Sequence, residues 1–543
     1  MSFYTHIKCD TIQFVVNWKI LPKQSDDLVR QLIFNRGLKT EKEIQQFFHS
    51  DLKDFEKDLE ISGIPKAAAR IKKAIDNKEL IIAYGDYDVD GIAGAAILYQ
   101  GLTAIGAKVL PYIPHREKEG YGLSKLGLEF ARDSGATLVI TTDTGIVAFE
   151  MADFAKKFGL DLIITDHHQP QDKKFPDAFA IIHSIALCGA AVSWCLMKSL
   201  VGKKIADDLL DFVGLATISD MMPLLGVNRA LVSEGLKKLN ITDRAGWLAL
   251  FQEADLTLGE IGSYEIGHII APRLNAMGRL EHAIDSLRLL CTKDPSKAKK
   301  LADLVGQTNE ERKLLTTDAV KEAKKMIVGS KKNIHILSSN NWSPGIIGLV
   351  AGRVCDDTGC STVAISKGGE YSKGSARSKG INIVELLREC EGLLEAVGGH
   401  AAAAGFTIKT KNIESFKKKL ENLSNSRPNS NLEVSLEIEA KIPSSQLSIS
   451  LEEELSNFEP FGIGNAPPIL ATFGMKLSDL RTVGNGKHLK GKADGIDFIG
   501  FGIGEMVNIL QSGQLVDLAY NLELNRFNGS EKLQLKVRDL KIA

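Results

Sequence analysis

The chain has 543 residues, of which 44% are hydrophobic and 25% are charged, and its formal net charge at pH 7 is −1. This length predicts several domains rather than one core. The nearly neutral charge excludes a globally basic nucleic-acid binder, so any such site must be a local groove. Seven cysteines without a C-x-x-C pair favour reduced thiols over a disulfide framework or structural zinc.

The sequence shows neither a secretory signal pattern nor a membrane-spanning segment. Its first 14 residues lack an apolar signal core, and no apolar run reaches the ~18 residues that span a bilayer. We therefore expect a cytoplasmic protein without membrane attachment.

Residues 60–235 alternate short apolar runs with helical stretches, which predicts βαβ units and a mostly parallel sheet. Continuous apolarity indicates that the strands are buried on both faces. The predicted strands are LIIAY (80–84), KVLPYI (108–113), TLVITT (137–142), DLIIT (161–165) and AFAII (178–182).

The remaining chain changes character twice. Residues 294–328 have helical apolar spacing beside a charged face, which predicts a long amphipathic helix between two domains. A second α/β unit follows, with strands at 333–339 and 361–366 and helices near 345–357 and 383–396. After a linker at 425–431, period-two alternation predicts a small antiparallel barrel. The predicted domains are 1–59 (N-terminal extension), 60–235, 236–330 (helical connector), 331–428 and 432–543.

Acidic residues recur where predicted strands end. YGDYDVDG follows the first strand, TTDTG and TDHHQP end two others, and SDMMPL follows a further apolar stretch. Open α/β sheets place their sites at this edge. Such a cluster is repulsive unless cations neutralise it, and carboxylates with imidazoles suit Mn²⁺ or Mg²⁺. The residues concerned are Asp86, Asp88, Asp90, Asp143, Asp166, His167, His168 and Asp220.

Simpler interpretations apply to each residue alone. A single Asp after a strand is ordinarily a helix cap or turn residue, and a single His is ordinarily structural. The three alternate aspartates could also bind calcium, but no Glu ends a 12-residue loop. The joint recurrence of four acidic segments favours a metal site.

The four segments in this order resemble the motifs of the DHH phosphoesterase superfamily. APRLNAMGRL (271–280), GSARSKGINI (374–383), VGGHAAAAGF (397–406) and FEPFGIGNAPPIL (458–470) resemble parts of RecJ single-strand-specific exonucleases. The resemblance covers residues 60–543. It implies an α/β fold with a parallel-sheet DHH domain, a long connector helix, a second α/β DHH-associated domain and a C-terminal OB-like β-barrel.

The resemblance also implies roles for individual residues. Asp143 would bridge two cations, and His168 would face the scissile phosphate, so that Asp143, His167 and His168 are the predicted catalytic residues. The implied metal ligands are Asp86, Asp88, Asp90, Asp143, His167 and Asp220. Those implied around a terminal 5′-phosphate are Arg116, Ser375 and Arg377. Those implied to contact the strand are Arg273, Asn275, Arg279, Gly399 and His400.

Some of these residues also have simpler explanations. Each arginine alone could be an ordinary surface residue, and the glycine-flanked His400 could belong to a helix C-terminal turn. In the barrel, Lys487, His488, Lys490 and Lys492 form a basic segment near glycine turns. Phe498 and Phe501 could stack on bases, but alternation predicts that at least one of them faces the core.

The resemblance implies a metal-dependent 5′→3′ exonuclease on single-stranded DNA. It would release 5′-mononucleotides by hydrolysis with two divalent cations, Mn²⁺ or Mg²⁺, in DNA repair and recombination. We expect a monomer, with a single-strand-binding protein and a helicase as partners. Two alternatives remain: a phosphoesterase for short oligonucleotides or bisphosphate nucleotides, and a catalytically silent nucleic-acid scaffold. The sequence does not separate DNA from RNA as substrate.

The chain departs from the family pattern in three places. Thr144 stands where motif two usually has Asn or Cys, and Ser343 stands where His is common. HSIA (183–186) replaces a longer loop rich in Asn, Pro and Cys. Neither of the first two changes removes an implied metal ligand, and the shortened segment is the more serious departure.

Overall fold

The computed structural model describes residues 17–330, 332–426, 435–527 and 530–543, without the side chains of 526, 527 and 530. Residues 1–16, which include Cys9, and residues 427–431 of the predicted linker lie outside the described residues. The chain divides into two compact units. The DHH unit comprises Glu41–Lys313 with Pro460–Ala466. The barrel unit comprises the described residues up to Thr40, Leu314–Glu459 and Pro467–Ala543.

The strands of the described residues are numbered in chain order. They are β1 Asn17–Ile20, β2 Leu80–Gly85, β3 Lys108–Tyr112, β4 Ala136–Thr142, β5 Asp161–Asp166, β6 Ala180–His183, β7 Ile334–Ser339, β8 Ser361–Ser366, β9 Tyr371–Arg377, β10 Leu394–His400, β11 Ala403–Lys409, β12 Ser435–Ile438, β13 Ala440–Lys441, β14 Leu470–Val483, β15 His488–Ala493, β16 Ile496–Gly500, β17 Leu515–Phe527 and β18 Ser530–Ile542.

The helices of the described residues are numbered in the same way. They are α1 Leu28–Asn35, α2 Glu41–Phe48, α3 Ile64–Asp76, α4 Val89–Ala104, α5 Lys125–Asp133, α6 Phe149–Lys157, α7 Gly189–Lys198, α8 Lys203–Asp208, α9 Leu210–Ser219, α10 Gly226–Leu239, α11 Ala245–Glu253, α12 Ser263–Glu265, α13 Ala271–Leu280, α14 Ile284–Cys291, α15 Pro295–Ile327, α16 Ile347–Thr358, α17 Ile383–Arg388, α18 Ile413–Asn425 and α19 Ile449–Ser456. Among these described helices, none is both long and apolar enough to cross a membrane.

The DHH unit is built on a five-stranded parallel sheet in the order β3-β2-β4-β5-β6. The five strands predicted from the apolar runs are therefore confirmed. Gly85 of β2 pairs with Thr142 of β4, which pairs with Thr165 of β5. This register aligns the carboxyl ends of three strands, so the residues that follow them share one edge.

One acidic segment is not at a strand end. Asp220 follows α9, whose residues Leu210–Thr217 are buried, and it forms the C-cap of that helix. The expectation that all four segments follow strands is wrong for this one. A short apolar stretch does not distinguish a buried strand from a buried helix, because neither shows a polar face.

The barrel unit contains a mixed five-stranded sheet in the order β10-β11-β9-β8-β7. The helix predicted over 383–396 ends at Arg388, and β10 begins at Leu394. β10 and β11 form an antiparallel hairpin in which His400 pairs with Ala403. A helix C-terminal turn at His400 is therefore wrong, because cross-strand pairing overrides the local helical preference of this segment.

The C-terminal strands close into a ring, with the order β13-β14-β15-β16-β18-β17 and a further pairing of β14 with β17. This confirms the predicted OB-like barrel, but the expectation of an antiparallel barrel is wrong for two pairings, because β16 pairs with β18 and β13 with β14 in parallel. β12 pairs in parallel with β1 instead. The Trp18 indole N–H donates to Asp539 Oδ2 at 2.6 Å. The described part of the N-terminal segment up to Thr40 thus packs on the barrel unit.

Phe498 and Phe501 differ in burial: Phe498 belongs to β16, whereas Phe501 follows Gly500, the last residue of that strand. Phe498 is fully buried, whereas Phe501 is 53% exposed. Stacking of Phe498 on a base is therefore excluded, and the expectation that at least one of the two faces the core is confirmed. The His488 ring lies 5.0 Å from Phe501, and Lys536 Nζ lies 5.8 Å from the same ring.

The long helix predicted over 294–328 is confirmed as α15, Pro295–Ile327. Ala298, Ala302 and Ala323 are fully buried, while Leu315 and Met326 of the predicted apolar face are 37% and 46% exposed. The division between the two units falls within this helix, between Lys313 and Leu314.

Candidate active site

Carboxylates and two imidazoles meet at the carboxyl edge of the parallel sheet. His167 Nε2 lies 3.1 Å from Asp143 Oδ1 and 3.7 Å from an oxygen of both Asp90 and Asp220. Three overlapping groups have ligand atoms within 4.8 Å of one another: Asp86 with Asp88 and Asp143, Asp90 with His167 and Asp220, and Asp143 with His167 and His168. The structure thus brings together every predicted metal ligand.

Hydrogen bonds from backbone amides orient the carboxylates of Asp88 and Asp90. Asp88 is the N-cap of α4, and its Oδ1 accepts from the amides of Asp90 and Gly91 at 3.0 and 3.2 Å. Asp88 is therefore a helix cap, as the simpler interpretation predicts, and it is also a member of the acidic cluster. Asp90 accepts from the amides of Gly189 and Ala190 at 2.6 and 2.8 Å. These are the first amides of α7, where the helix dipole favours a negative charge.

Asp143 is held in an unusual backbone conformation. Its φ is +60°, in the left-handed region that non-glycine residues rarely adopt. The start of α7 presses against it: a β-carbon on Gly189 would lie 2.5 Å from Asp143 Cβ and 2.6 Å from its Cα. The position of Asp143 therefore depends on a residue without a side chain at 189.

The cluster fits a divalent cation. Both oxygens of Asp86 and Oδ1 of Asp143 are buried without a hydrogen bond of normal geometry among the described residues. Burial and the neighbouring carboxylates raise the pKa of Asp143 well above its ordinary value, and they raise the pKa of Asp220 to about 8. Raised pKa values mean that the ionised carboxylates repel one another and are poorly solvated. A bound cation would favour their ionised form and lower these pKa values.

The two histidines have different surroundings. Burial lowers the pKa of His167, which keeps the ring neutral as a metal ligand must be. His168 donates from Nδ1 to Asp166 Oδ1 at 2.9 Å, and Tyr121 Oη is 2.9 Å from its Nε2. Burial opposes protonation of His168, but its hydrogen bond to Asp166 and the charges of Asp166, Asp88 and Asp90 together outweigh burial and raise its pKa.

Asp166 acts as a support for this segment. Its Oδ1 accepts from the amides of His167 and His168 at 2.7 and 3.2 Å, and its Oδ2 accepts from Ile146 at 2.8 Å. The shortened segment adds a further support, because His183 Nε2 donates to the carbonyl of His168 at 2.7 Å. Asp166 thus has little free capacity to bind a cation, consistent with its omission from the predicted ligands.

The predicted phosphate residues belong to different units. In the DHH unit, the Arg116 guanidinium lies 4.8 Å from the Tyr87 ring centroid. In the barrel unit, Arg377 Nη1 donates to Ser375 Oγ at 3.1 Å. A β-carbon on Gly348 would lie 3.2 Å from Arg377 Nη2 and 3.3 Å from Ser375 Oγ. A side chain at 348 would therefore crowd this pair.

The predicted strand contacts of the connector are partly engaged within the protein. Arg273 Nε donates to Glu253 Oε2 at 2.7 Å. Asn275 Oδ1 accepts from the amide of Val89 at 3.1 Å, which ties the connector to the start of α4. Arg279 lies in the last turn of α13.

The remaining predicted strand contacts lie on the β10–β11 hairpin. Gly399 has a φ of +139°, and a β-carbon there would lie 2.5 Å from Ala404 Cα. His400 follows it as an exposed residue at the end of β10. The absence of a side chain at Gly399 thus allows β10 and β11 to pair closely at the end of the hairpin, where His400 is exposed.

Two functional positions were missed by the sequence reasoning. Tyr121 contacts His168, and its signal was the Gly-Tyr-Gly turn in which Gly120 and Gly122 have φ values of +85° and +87°. Gly189 packs on Asp143, and no local pattern marks it, because its neighbour is 46 positions away in the chain.

Comparison with known proteins agrees with this architecture. Three family models match: "DHH family, N-terminal domain" over residues 80–217, "DHHA1 domain" over 331–426 and "RecJ OB domain" over 438–539. The single-stranded-DNA-specific exonuclease RecJ of Bacillus subtilis is 33% identical over 95% of this chain and 68% of its own length. RecJ of Thermus thermophilus is 32% identical over 89% of this chain and 72% of its own length.

Solved structures give the same result. The crystal structure of Thermus thermophilus RecJ in complex with Mn²⁺ matches with a TM-score of 0.83 at 27% identity, covering 97% of this chain and 80% of that one. The corresponding Mg²⁺ complex matches with a TM-score of 0.78. Sheet, cluster and matched domains together define a phosphoesterase of the DHH class. Within that class, this chain belongs to the RecJ family of single-stranded-DNA-specific exonucleases.

Proposed function

We propose that this protein is a metal-dependent 5′→3′ exonuclease that degrades single-stranded DNA and releases 5′-mononucleotides. The observation that carries the proposal is the buried cluster around Asp143, where carboxylate oxygens lack a hydrogen bond of normal geometry and the pKa values are raised, as suits a site for divalent cations. It occurs in a chain whose relatives of the same architecture are named single-stranded-DNA-specific exonucleases. A role in DNA repair and recombination follows from this activity.

The predicted ligands, Asp86, Asp88, Asp90, Asp143, His167 and Asp220, would hold two divalent cations, Mn²⁺ or Mg²⁺. Bound there, the cations supply Lewis acidity to the phosphodiester. Asp143 has the central position, because its carboxylate belongs to two of the three ligand groups. Asp90 is oriented by the first amides of α7, and Asp88 by its cap bonds.

His168 is suited to contact the scissile phosphate. Asp166 fixes its Nδ1, and its pKa is raised, so the ring can carry a proton toward an anionic oxygen. Its outward Nε2 contacts Tyr121, whose side chain is 54% exposed and can give way to substrate. The hydrogen bond to Asp166 therefore orients the His168 imidazole and keeps a proton on its Nδ1.

The polarity of degradation would come from the strand end. Arg116, Ser375 and Arg377 are proposed to bind the terminal 5′-phosphate, since the arginine fork can engage phosphate oxygens bidentately. Arg273, Asn275, Arg279, Gly399 and His400 are proposed to contact the strand. The barrel would extend the grip through the exposed Phe501 and the nearby lysines.

Further properties complete the proposal. We propose that the protein works in the cytoplasm as a monomer, with a single-strand-binding protein and a helicase as partners. Domain boundaries near residues 59, 235, 330 and 431 also remain proposals. The ring-closed barrel favours the exonuclease over an enzyme for very short oligonucleotides or bisphosphate nucleotides, because tiny substrates need no strand-tracking surface. The intact acidic cluster disfavours a silent scaffold.

The test incubates the protein with 5′-labelled single-stranded DNA, RNA and duplex DNA in the presence of Mn²⁺. We expect labelled mononucleotide to appear first from single-stranded DNA. Longer labelled products would contradict the polarity, and faster cleavage of RNA would contradict the substrate.

The matched variants are Asp143→Ala and Asp153→Ala, the second an exposed residue on α6. Asp143→Ala should lose turnover while strand binding persists, because the cluster loses the carboxylate shared by two ligand groups. Asp153→Ala should behave as wild type. Retention of more than about a tenth of wild-type turnover by Asp143→Ala in saturating Mn²⁺ would count against its central role.

A further inference from the structure

The turn that ends α9 carries an unexpected residue beside the acidic cluster. The amide of Met221 donates to the carbonyl of Ile218 at 3.1 Å, and the amide of Met222 donates to that of Thr217 at 3.1 Å. These two bonds define a Schellman turn, in which the residue after the C-cap must adopt the left-handed conformation. Met221 occupies that position with a φ of +55°.

Other helices of this chain show what the turn ordinarily requires. The same pair of hydrogen bonds closes α1, α4 and α6, where the left-handed residues are Gly37, Gly106 and Gly159. It also closes α3 and α11, where Lys78 and Asp255 take the position. Among the described residues, Met221 is the one apolar non-glycine residue with a positive φ.

The Met221 side chain does not contribute to the core. It is 68% exposed, whereas Met222 packs against the core and Leu224 is 1% exposed. The segment is also fixed, because the amide of Leu224 donates to the carbonyl of Ile463 at 2.7 Å within the DHH unit. An apolar side chain therefore projects into solvent from a rigid, strained turn without gaining burial.

The position of this side chain relates it to the reaction. Met221 directly follows Asp220, whose carboxylate lies 3.7 Å from His167 Nε2. A phosphodiester bound at a cluster that includes Asp220 would have its flanking nucleotides near the residue that follows Asp220 in the chain. A methionine thioether is flexible and polarizable and makes favourable contacts with aromatic rings. Strained backbone conformations are also found more often at active sites and ligand-binding sites than elsewhere.

We infer that Met221 contacts the nucleobase of a nucleotide joined by the scissile phosphate. This inference rests on the proposed function, and it adds a base contact to a site otherwise built from phosphate-directed groups. The ligand chemistry is a planar aromatic heterocycle without requirement for a particular base, because the thioether offers no sequence-reading hydrogen bond.

The experiment compares Met221→Gly with wild type on two strands. One is an ordinary 5′-phosphorylated oligodeoxynucleotide, and the other carries stable abasic analogues at its two 5′-terminal positions. Wild type should show a KM about fivefold lower for the ordinary strand, on the scale of one base contact. Met221→Gly should raise the KM for the ordinary strand and bring the ratio of the two KM values near one.

Controls separate this effect from folding. Glycine suits a left-handed turn, so Met221→Gly should melt no lower than wild type. Lys78→Gly makes the same backbone change at the end of α3 and should leave both KM values unchanged. Met221→Leu keeps an apolar side chain and should retain most of the discrimination.

A Met221→Gly enzyme that discriminates between the two strands as wild type does would overturn the inference. So would an equal rise of KM on both strands, which would indicate a contact with phosphate or sugar. Failure of the proposed function would look different, because wild type would then hydrolyse neither strand in Mn²⁺.

Discussion

Gly189 is the residue at which the packing of the DHH unit controls the acidic cluster. Substitution by alanine places a β-carbon 2.5 Å from Asp143 Cβ and 2.6 Å from Asp143 Cα. Backbone atoms and a β-carbon cannot rotate away. To restore a contact of 3.4 Å, the start of α7 must retreat by about 0.9 Å (3.4 less 2.5 Å).

That retreat has a second consequence. The Gly189 and Ala190 amides donate to Asp90 at 2.6 and 2.8 Å, so a shift of about 0.9 Å lengthens these bonds to about 3.5 and 3.7 Å, at and beyond the limit of a hydrogen bond. Overpacking costs about 1–3 kcal/mol, and weakening a hydrogen bond to a charged group costs about 1.5–3 kcal/mol. Because the two effects share one movement, we expect a total loss of about 3 kcal/mol.

Two measurements follow for Gly189→Ala. The melting temperature without metal should fall by roughly 5–10 °C. Affinity for Mn²⁺, measured by calorimetry, should fall by about 10–100-fold, as for loss of a group that orients metal ligands.

The matched control is Gly202→Ala. Gly202 also precedes a helix, α8, but a β-carbon there meets no atom within 4 Å. It should melt and bind Mn²⁺ as wild type does. A Gly189→Ala protein indistinguishable from this control in both measurements would refute the packing argument.

Three further predictions concern pH, the strand end and the barrel. Burial raises the pKa of Asp220 from 3.8 to about 8, so the folded state without metal binds a proton that the unfolded state releases between these values, and stability falls as pH rises through this window. Melting curves in chelator should therefore show Asp220→Asn gaining stability relative to wild type from pH 5 to 8, and a difference independent of pH would contradict this. Arg377→Ala should raise the KM for 5′-phosphorylated strands by roughly 10–100-fold, the equivalent of about 1.5–3 kcal/mol for a lost charged hydrogen bond; an equal loss on 5′-hydroxyl strands would instead identify a general or structural contact. Phe501→Ala should shorten processive runs on strands of about 60 nucleotides and leave turnover of four-nucleotide strands unchanged, since stacking acts along the strand. Equal losses on both lengths would show that the barrel supports the active site. The substitution leaves intact the pairing of β12 with β1 and the hydrogen bond from Trp18 to Asp539.

The sequence alone determined the parallel sheet and the composition of the cluster. Strands buried on both faces are continuous apolar runs, and the residues after them must meet at one edge, so the order of residues is enough to group Asp86, Asp143 and His167. The barrel was also predictable, because a wall with one buried face alternates in a period of two. The buried Phe498 of β16 follows that alternation.

Only the tertiary structure decided how these groups are aimed and supported. Asp220 ends a helix, Gly189 presses on Asp143, and Tyr121 reaches His168. The contacts of Gly189 and Tyr121 join segments that are distant in the chain. The helix before Asp220 has the same apolar composition as a buried strand, so its sequence does not distinguish the two. Periodicity reports which face of an element is buried, but close approach and side-chain direction depend on the elements packed against it, and those are fixed only when the whole unit folds.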